Sequence, residues 1–222
     1  MKFETERELF EYLQMHAYAA AFSDILDEMG NRGRVVSPDA HIRPLHESFV
    51  AIGRAVTLLN ALDVNDEDPY DMVIKCIDSL QPDSMLVTTG AVHLTTGIMG
   101  ELTATALRVK GCRGAVVNGY TRDARKIIQM GYPTFAWGAS PIDTTGRVRV
   151  IEWNIPITVG GVVVTPGDIV FADLDGIVVV PRHMEKELIE RVLERVSTEN
   201  VVRKELAEGK RMSEVWSRYH VL

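Results

Sequence analysis

Residues 116–128 read VVNGYTRDARKII. An apolar, β-branched run stops at Asn118-Gly119, and a helix-like pattern follows from Thr121. A strand that turns at glycine and runs straight into a helix is half of a βαβ unit, so this stretch sets the fold class. It also carries an oddity. Aligned peptide dipoles make a helix N-terminus positive, which favours Asp123 in the first turn and disfavours Arg122. Lys126, four residues beyond Arg122, adds a like charge on the same helical face. Functional sites tolerate local violations of this kind. The plainer alternative makes Asp123 and Glu101 ordinary first-turn acids, with Thr121 as the N-cap of the second helix.

The same alternation extends in both directions. SMLVTT (84–89) reads as a strand, and TTGIMGELTATALRVKG (95–111) as a helix ending at Gly111. RGAVVNG (113–119) is a strand, TRDARKIIQMG (121–131) a helix stopped by Gly131, and PTFAWG (133–138) a further strand. Upstream, FVAIGRAVTLL (49–59) is β-rich, with Gly53 a bulge or a point of close approach. PYDMVIKCIDSL (69–80) reads as a helix with Pro69 in its first position. Short links between alternating strands and helices imply parallel strands.

The first thirty residues are helical in pattern: Phe22, Ile25, Leu26 and Met29 share one face, and Gly30 is a natural stop. From 147 to 182 the chain changes to short β-branched runs cut by GG, PGD and LDG, which are hairpin and turn signals. A final helix from about 183 places Leu188, Ile189, Val192, Leu193 and Val196 on one face. No repeat or Pro/Ser linker interrupts the chain. The expectation is one α/β domain over 1–222, with a core of about 17–182 and a helical segment over 183–222.

Composition narrows the function classes. The 222 residues are 46% hydrophobic and 25% charged, with a formal net charge of -7. An acidic chain lacks the basic stripe that nucleic-acid binding requires, although a small anionic substrate needs only a local positive pocket. Cys76 and Cys112 are too few for a disulfide framework and lack CxxC spacing, which suits a reducing cytoplasm. MKFETERELFEYL does not read as a signal peptide, and no apolar run approaches the ~20 residues of a membrane span. DVNDEDPYD (63–71) lacks the glycine and glutamate of a calcium loop; Asp68 and Ile74 stand at those positions. There is no dinucleotide or Walker fingerprint and no zinc spacing among the histidines. Asp168, Asp173 and Asp175 read as turn residues.

Two successive β-α junctions remain as the place for chemistry. In parallel β-α units, helix N-termini gather at the carboxyl ends of the strands, where open α/β sheets bind ligands. The first junction brings GIMGELT, with free backbone amides suited to a carboxylate or phosphate and Glu101 in the first turn. The second brings Arg122 and Asp123. His93, Thr95 and Thr96 lie close to the first junction; a lone histidine is more often structural than catalytic.

Glu101, twenty intervening residues, then Arg122-Asp123 resembles the acidic-x20-Arg-Asp signature of the class II 4-hydroxy-4-methyl-2-oxoglutarate aldolases and the wider RraA-like family. GELTATAL (100–107), GAVVNGYTRD (114–123), GYPTFAWG (131–138), VVTPGDIVFADLDGIVVVP (163–181) and ENVVRKELAEG (199–209) resemble family blocks in the same order. The resemblance implies an α/β/β layered, swivelling-domain type fold assembled into homotrimers or homohexamers. It implies a Mg2+- or Mn2+-dependent aldolase that cleaves small 2-oxo acids to release pyruvate, with possible oxaloacetate decarboxylase activity. It also implies site roles. Backbone amides of Gly100, Glu101, Leu102 and Thr103 would hold the substrate carboxylate. Arg122 would bind the 2-oxo oxygen, Asp123 would ligate the metal, and Glu101 would reach it through water. Glu199, from a neighbouring subunit, would be the acid/base group; on its residues alone it also reads as a solvated helix face. Aspartate is usual in the family at Glu101 and common at Asn118, so these departures imply a different substrate or the non-catalytic, ribonuclease-regulating branch.

Overall fold

The computed structural model describes residues 3–62, 70–91 and 94–221. Thr5 caps helix α1 (Glu6–His16) by accepting from the Glu8 amide, and the Glu8 carboxylate accepts from the amide of Glu4, just before the cap. Helix α2 (Ala19–Glu28) buries Phe22, Ile25 and Leu26, and stops where Gly30 takes a left-handed φ of 75°. After the short strand β1 (Arg43–Pro44) comes β2 (Ala51–Leu62), the long central strand. Gly53 is a close-approach point: a Cβ there would sit 2.9 Å from the Asp83 and Ser84 carbonyls. The irregularity in β2 lies further on, between Leu59 and Asn60.

Helix α3 (Asp71–Ser79) leads into β3 (Ser84–Thr89). Pro69, most of the acidic stretch 63–71 and His93 lie outside the described residues. The segment expected as a helix from 95 is divided: β4 (Gly97–Met99) comes first, and α4 (Glu101–Val109) begins only after Gly100. The same happens at the next two junctions. After β5 (Ala115–Val117) a two-residue strand β6 (Tyr120–Thr121) precedes α5 (Ala124–Met130), and after β7 (Thr134–Ala136) comes β8 (Gly138–Ala139). The β-rich half supplies β9 (Val148–Trp153), β10 (Ile157–Val159), β11 (Val162–Val164), β12 (Ile169–Ala172) and β13 (Ile177–Val180). The expected final helix is two: α6 (Glu185–Ala207) and α7 (Met212–Tyr219), parted near Gly209 with its φ of 86°.

The main sheet has the order β1-β7-β5-β3-β2-β12-β13, with β9 also paired to β2. Strands β2, β3, β5 and β7 are parallel, as the intervening helices require. Strands β12 and β13 add an antiparallel edge. Side chains alternate through the sheet. Met85 and Val87 of β3 face the layer that contains the β10–β11 hairpin, whereas Leu86 faces α3, α4 and α5. Helices α1, α2 and α6 cover the β12–β13 end, with Phe22 stacked on Phe171. The layers are helix, sheet and hairpin, the α/β/β arrangement expected. Each fully buried large side chain, such as Phe171 or Leu107, stabilises the fold by roughly 1.5–3 kcal/mol relative to exposure. Asp168 and Asp173 are turn residues: Asp168 accepts from the Thr165 and Arg182 amides, and Asp173 from those of Ala19, Asp175 and Gly176. Among the described residues, no helix is long and apolar enough to cross a membrane.

Candidate functional site

Strands β4, β6 and β8 form a second, small parallel sheet with β6 in the middle. Each of its strands ends beside the next one's exit. The Arg122 amide donates to the Met99 carbonyl at 2.8 Å, the Ser140 amide to Thr121 at 2.8 Å, and the Gly97 amide to Ile142 at 2.9 Å. Three segments are thereby laid side by side: Gly100-Glu101, Arg122-Asp123 and the loop from Ser140. Close approach needs glycine at two places. A Cβ on Gly97 would stand 2.8 Å from the Arg122 Cβ, and one on Gly100 would stand 2.9 Å from the Asp123 Oδ2.

This arrangement corrects the first reading of Arg122 and Asp123. Thr121 is not the N-cap; it lies in β6, and its hydroxyl donates to the Met99 carbonyl. Arg122 precedes the helix, so it neither opposes a dipole from within a first turn nor stacks on Lys126 one turn along. Asp123 is the N-cap of α5, held at φ 55°, ψ 28°, a left-handed conformation that few residues other than glycine and Asn/Asp adopt. An aspartate N-cap ordinarily bonds the amides of its own helix. Here the Asp123 side chain makes no such bond, and its Oδ2 accepts instead from the Glu101 amide of α4 at 3.2 Å. One carboxylate thus caps a different helix from the one its backbone starts.

The remaining α4 amides are open. Ala104 N–H bonds the Gly100 carbonyl, while among the described residues the N–H groups of Leu102 and Thr103 meet no protein acceptor. Arg122 has its Nε 3.8 Å from the Asp123 Oδ2 and its Nη1 2.5 Å from the Asp143 Oδ1. Its side chain is 36% exposed, half in and half out of water. The Thr145 hydroxyl, the Thr144 amide and the Arg122 charge hold the Asp143 carboxyl below its usual range, against an opposing contribution from burial. The Glu101 side chain turns away from Asp123. Its Oε1 accepts from the Thr105 hydroxyl at 3.1 Å, and its Oε2 lies 3.9 Å from the Lys126 Nζ.

Two open concavities flank this centre. One, of about 500 Å³, is lined by Arg122–Lys126 and Ala139–Pro141; the other, of about 410 Å³, by Glu101, Thr105, Arg108 and Lys126 among others. Asn118 lies behind them in a buried polar ladder, donating from Nδ2 to Thr89 at 2.9 Å. Thr96 is buried and Thr95 exposed. Glu199 is not brought to the site within one chain. It sits on α6 in the helical layer over β12–β13 and accepts from the Tyr18 hydroxyl. Burial, then the bond and charge of Glu199, raise the Tyr18 phenol well above its usual range. Strands β5 and β12 are three positions apart in the sheet, on the order of 14 Å. Asp143 has no distinguishing mark in the sequence, where SPIDTTG reads as a turn.

No group of three or more His, Cys, Asp or Glu gathers among the described residues. The donor set at Asp123 nevertheless fits a cation such as Mg2+, which keeps several waters and takes one or two carboxylates. Its Oδ2 takes one amide bond, and its Oδ1 takes none from the described residues.

In this chain a layered α/β/β fold, with a small parallel sheet aligning three strand exits, sets an Arg-Asp pair against a helix N-terminus. The RraA-like family model, described as Aldolase/RraA, matches residues 22–179, and the chain belongs to that family. Protein DlpA of Legionella pneumophila is 29% identical over 202 residues, 90% of this chain but only 32% of its own length. The chain therefore spans about a third of that relative. A Halalkalibacterium halodurans protein named "Putative 4-hydroxy-4-methyl-2-oxoglutarate aldolase" is 28% identical over 169 residues, covering 76% of this chain and 75% of that one. Among solved structures, Streptomyces coelicolor RraAS2, titled an unusual member of the RNase ES inhibitor RraA family, superposes with a TM-score of 0.76 at 26% identity. That match covers 91% of this chain and 99% of the other.

Proposed function

We propose that this chain is a divalent-metal-dependent carbon–carbon lyase acting on small 2-oxo acids, by retro-aldol cleavage that releases pyruvate and by decarboxylation of oxaloacetate. The observation that carries the reading is the left-handed Asp123, whose carboxylate lies between Arg122 and the open end of α4. The Leu102 and Thr103 amides hold the substrate carboxylate, with the Gly100-Glu101 backbone beside them. Arg122 donates to the 2-oxo oxygen. Asp123 would hold Mg2+ or Mn2+, with Glu101 reaching it through water once its side chain leaves Thr105 and Lys126, and the cation would supply Lewis-acid stabilisation of charge on the substrate oxygens.

In the retro-aldol step the substrate hydroxyl loses its proton to a base and becomes the carbonyl of the departing fragment. The C–C electron pair moves toward the 2-oxo carbon, leaving an enolate that Arg122 stabilises and that is then protonated to pyruvate. The base is Glu199 of a neighbouring copy in a trimer or hexamer. The exposed Leu102 and Val109, each 81% accessible and two turns apart on α4, support a contact between copies beside the site. A second reading, a non-catalytic RraA-type binding protein, is favoured by the Glu101 side chain, which engages Thr105 and Lys126 rather than the Asp123 end.

Purified protein turns over oxaloacetate with added Mg2+ or Mn2+ and loses that activity in EDTA; inertness of a metal-replete sample toward a panel of 2-oxo acids refutes the lyase reading. Mixing Asp123→Asn subunits with Glu199→Gln subunits, each inactive alone, restores part of the activity once mass measurements show exchange. Full activity of Glu199→Gln alone removes it from the chemistry.

A further inference from the structure

The third strand exit of the small sheet brings a residue that neither the family signature nor the sequence pattern singles out. Asp143 takes the Arg122 Nη1 on its Oδ1 at 2.5 Å. Its Oδ2 accepts from the Thr145 hydroxyl at 2.7 Å and from the Tyr70 hydroxyl at 3.5 Å, and those two hydroxyls lie 3.1 Å apart. Its carbonyl accepts from Arg147 Nη1 at 3.3 Å. Although the Asp143 side chain is 43% exposed, its backbone is not adrift. The Ser140 amide bonds β6 and the Ile142 carbonyl bonds β4, so the loop is stitched to both neighbouring strands.

A surface Asp–Arg pair contributes little to stability on its own. This one does something more specific, because its arginine already has a second carboxylate on the other side. The guanidinium spans Asp143 at Nη1 and approaches Asp123 at Nε, and among the described residues Nη2 has no protein acceptor. A free arginine side chain loses about 2 kcal/mol of rotamer entropy when it is immobilised. Here the Asp143 bond supplies part of that ordering before any ligand arrives.

We propose that Asp143 is a positioning residue for Arg122, fixing the guanidinium so that Nη2 is presented to the substrate's 2-oxo oxygen. The inference rests on the lyase reading above. A misplacement of about 1 Å at a charge-stabilising group can cost on the order of a hundredfold in rate. The substrate carboxylate is held by the α4 amides, which Asp143 does not touch, so its loss weakens turnover rather than binding.

The test pairs kinetics with the Arg122 side-chain signal in protein labelled with 15N-arginine. In wild type, Arg122 gives a resolved Nε–H resonance with slow rotation of the guanidinium. In Asp143→Ala the rotation becomes fast, and Asp143→Asn, which keeps an acceptor, is intermediate. With oxaloacetate and Mg2+, kcat falls about tenfold to a hundredfold in Asp143→Ala and less in Asp143→Asn, while KM stays within about twofold and Tm is unchanged. An unaltered Arg122 signal, or an unaltered kcat, overturns the proposal. So does a fall in kcat that comes with raised KM and lowered Tm, which assigns Asp143 to the fold alone. A wild-type protein inert toward every 2-oxo acid overturns the lyase reading and the positioning role with it. That failure is recognisable because the Arg122 signal still reports whether Asp143 holds the guanidinium.

Discussion

Arg54 and Arg122 both sit between two carboxylates, and the resemblance ends there. Arg54, near the start of β2, has every nitrogen engaged. Its Nε and Nη2 bond Glu6, its Nη1 bonds Glu185 and the Gly167 carbonyl at 3.1 Å, and its guanidinium lies 5.9 Å from the Phe10 ring centre. Burial disfavours its charge, yet the Glu6 and Glu185 bonds outweigh that and strengthen its hold on the proton. The result is a clip that ties α1 and α6 to the sheet. Arg122 is bonded on one side, only approached on the other at 3.8 Å, and keeps Nη2 without a protein partner among the described residues. An arginine whose donors are all spent inside the protein is structural, whereas one with a donor left over has the chemistry to meet a ligand.

That contrast can be broken experimentally, beginning where the effect is largest. Asp123→Asn keeps the shape and the left-handed tolerance but removes the charge. Metal-dependent turnover falls by a factor on the order of 10³ or more, Mn2+ titration shows weakened binding, and the circular dichroism spectrum is retained. Full activity in that variant ends the assignment. Arg122→Lys keeps a charge but loses the planar fork, and kcat falls about 10²- to 10³-fold with Tm unaltered. Arg54→Ala has the opposite profile. It costs about 2 kcal/mol, a drop of roughly 4–8 °C in Tm, with kcat per folded molecule unchanged. If Arg54→Ala instead lost turnover at full stability, the division between the two arginines would fail. The mildest change is Glu6→Gln. Its carboxylate is exposed and screened, so the loss is about 0.5 kcal/mol, a shift of about 1–2 °C by calorimetry.

Much of this was legible in the residues. The glycine stops at Gly30, Gly111 and Gly131, the strand–helix alternation over 84–138 and the β-branched runs cut by GG, PGD and LDG point to the main sheet and its helices, because apolar runs bounded by turn residues are visible even in short strands. The small sheet left no such signal. Strand β4 has three residues and β6 and β8 two each, too short for any alternation, so the residue pattern places helix starts at 95 and 121 where α4 and α5 begin at 101 and 124. The Arg122-Asp123 pair is legible through its resemblance to the family signature, whereas the dipole argument for it is not supported by the structure, because Arg122 precedes the helix. What makes the pair unusual is the Asp123 backbone at φ 55°, which residue type alone permits without announcing. Asp143 was invisible for a related reason: its significance lies in a contact across 21 positions, made by a strand exit that looks like an ordinary turn.

The three-lane layout of the small sheet also bears on how such a protein can change over generations. The outer lane, from Ser140 to Arg147, touches the central one through few backbone bonds but carries Asp143, so a change there reaches Arg122 through one side-chain contact while Asp123 keeps its bond to α4. Rewriting that one surface loop would therefore alter the surroundings of Arg122 while leaving the main sheet untouched.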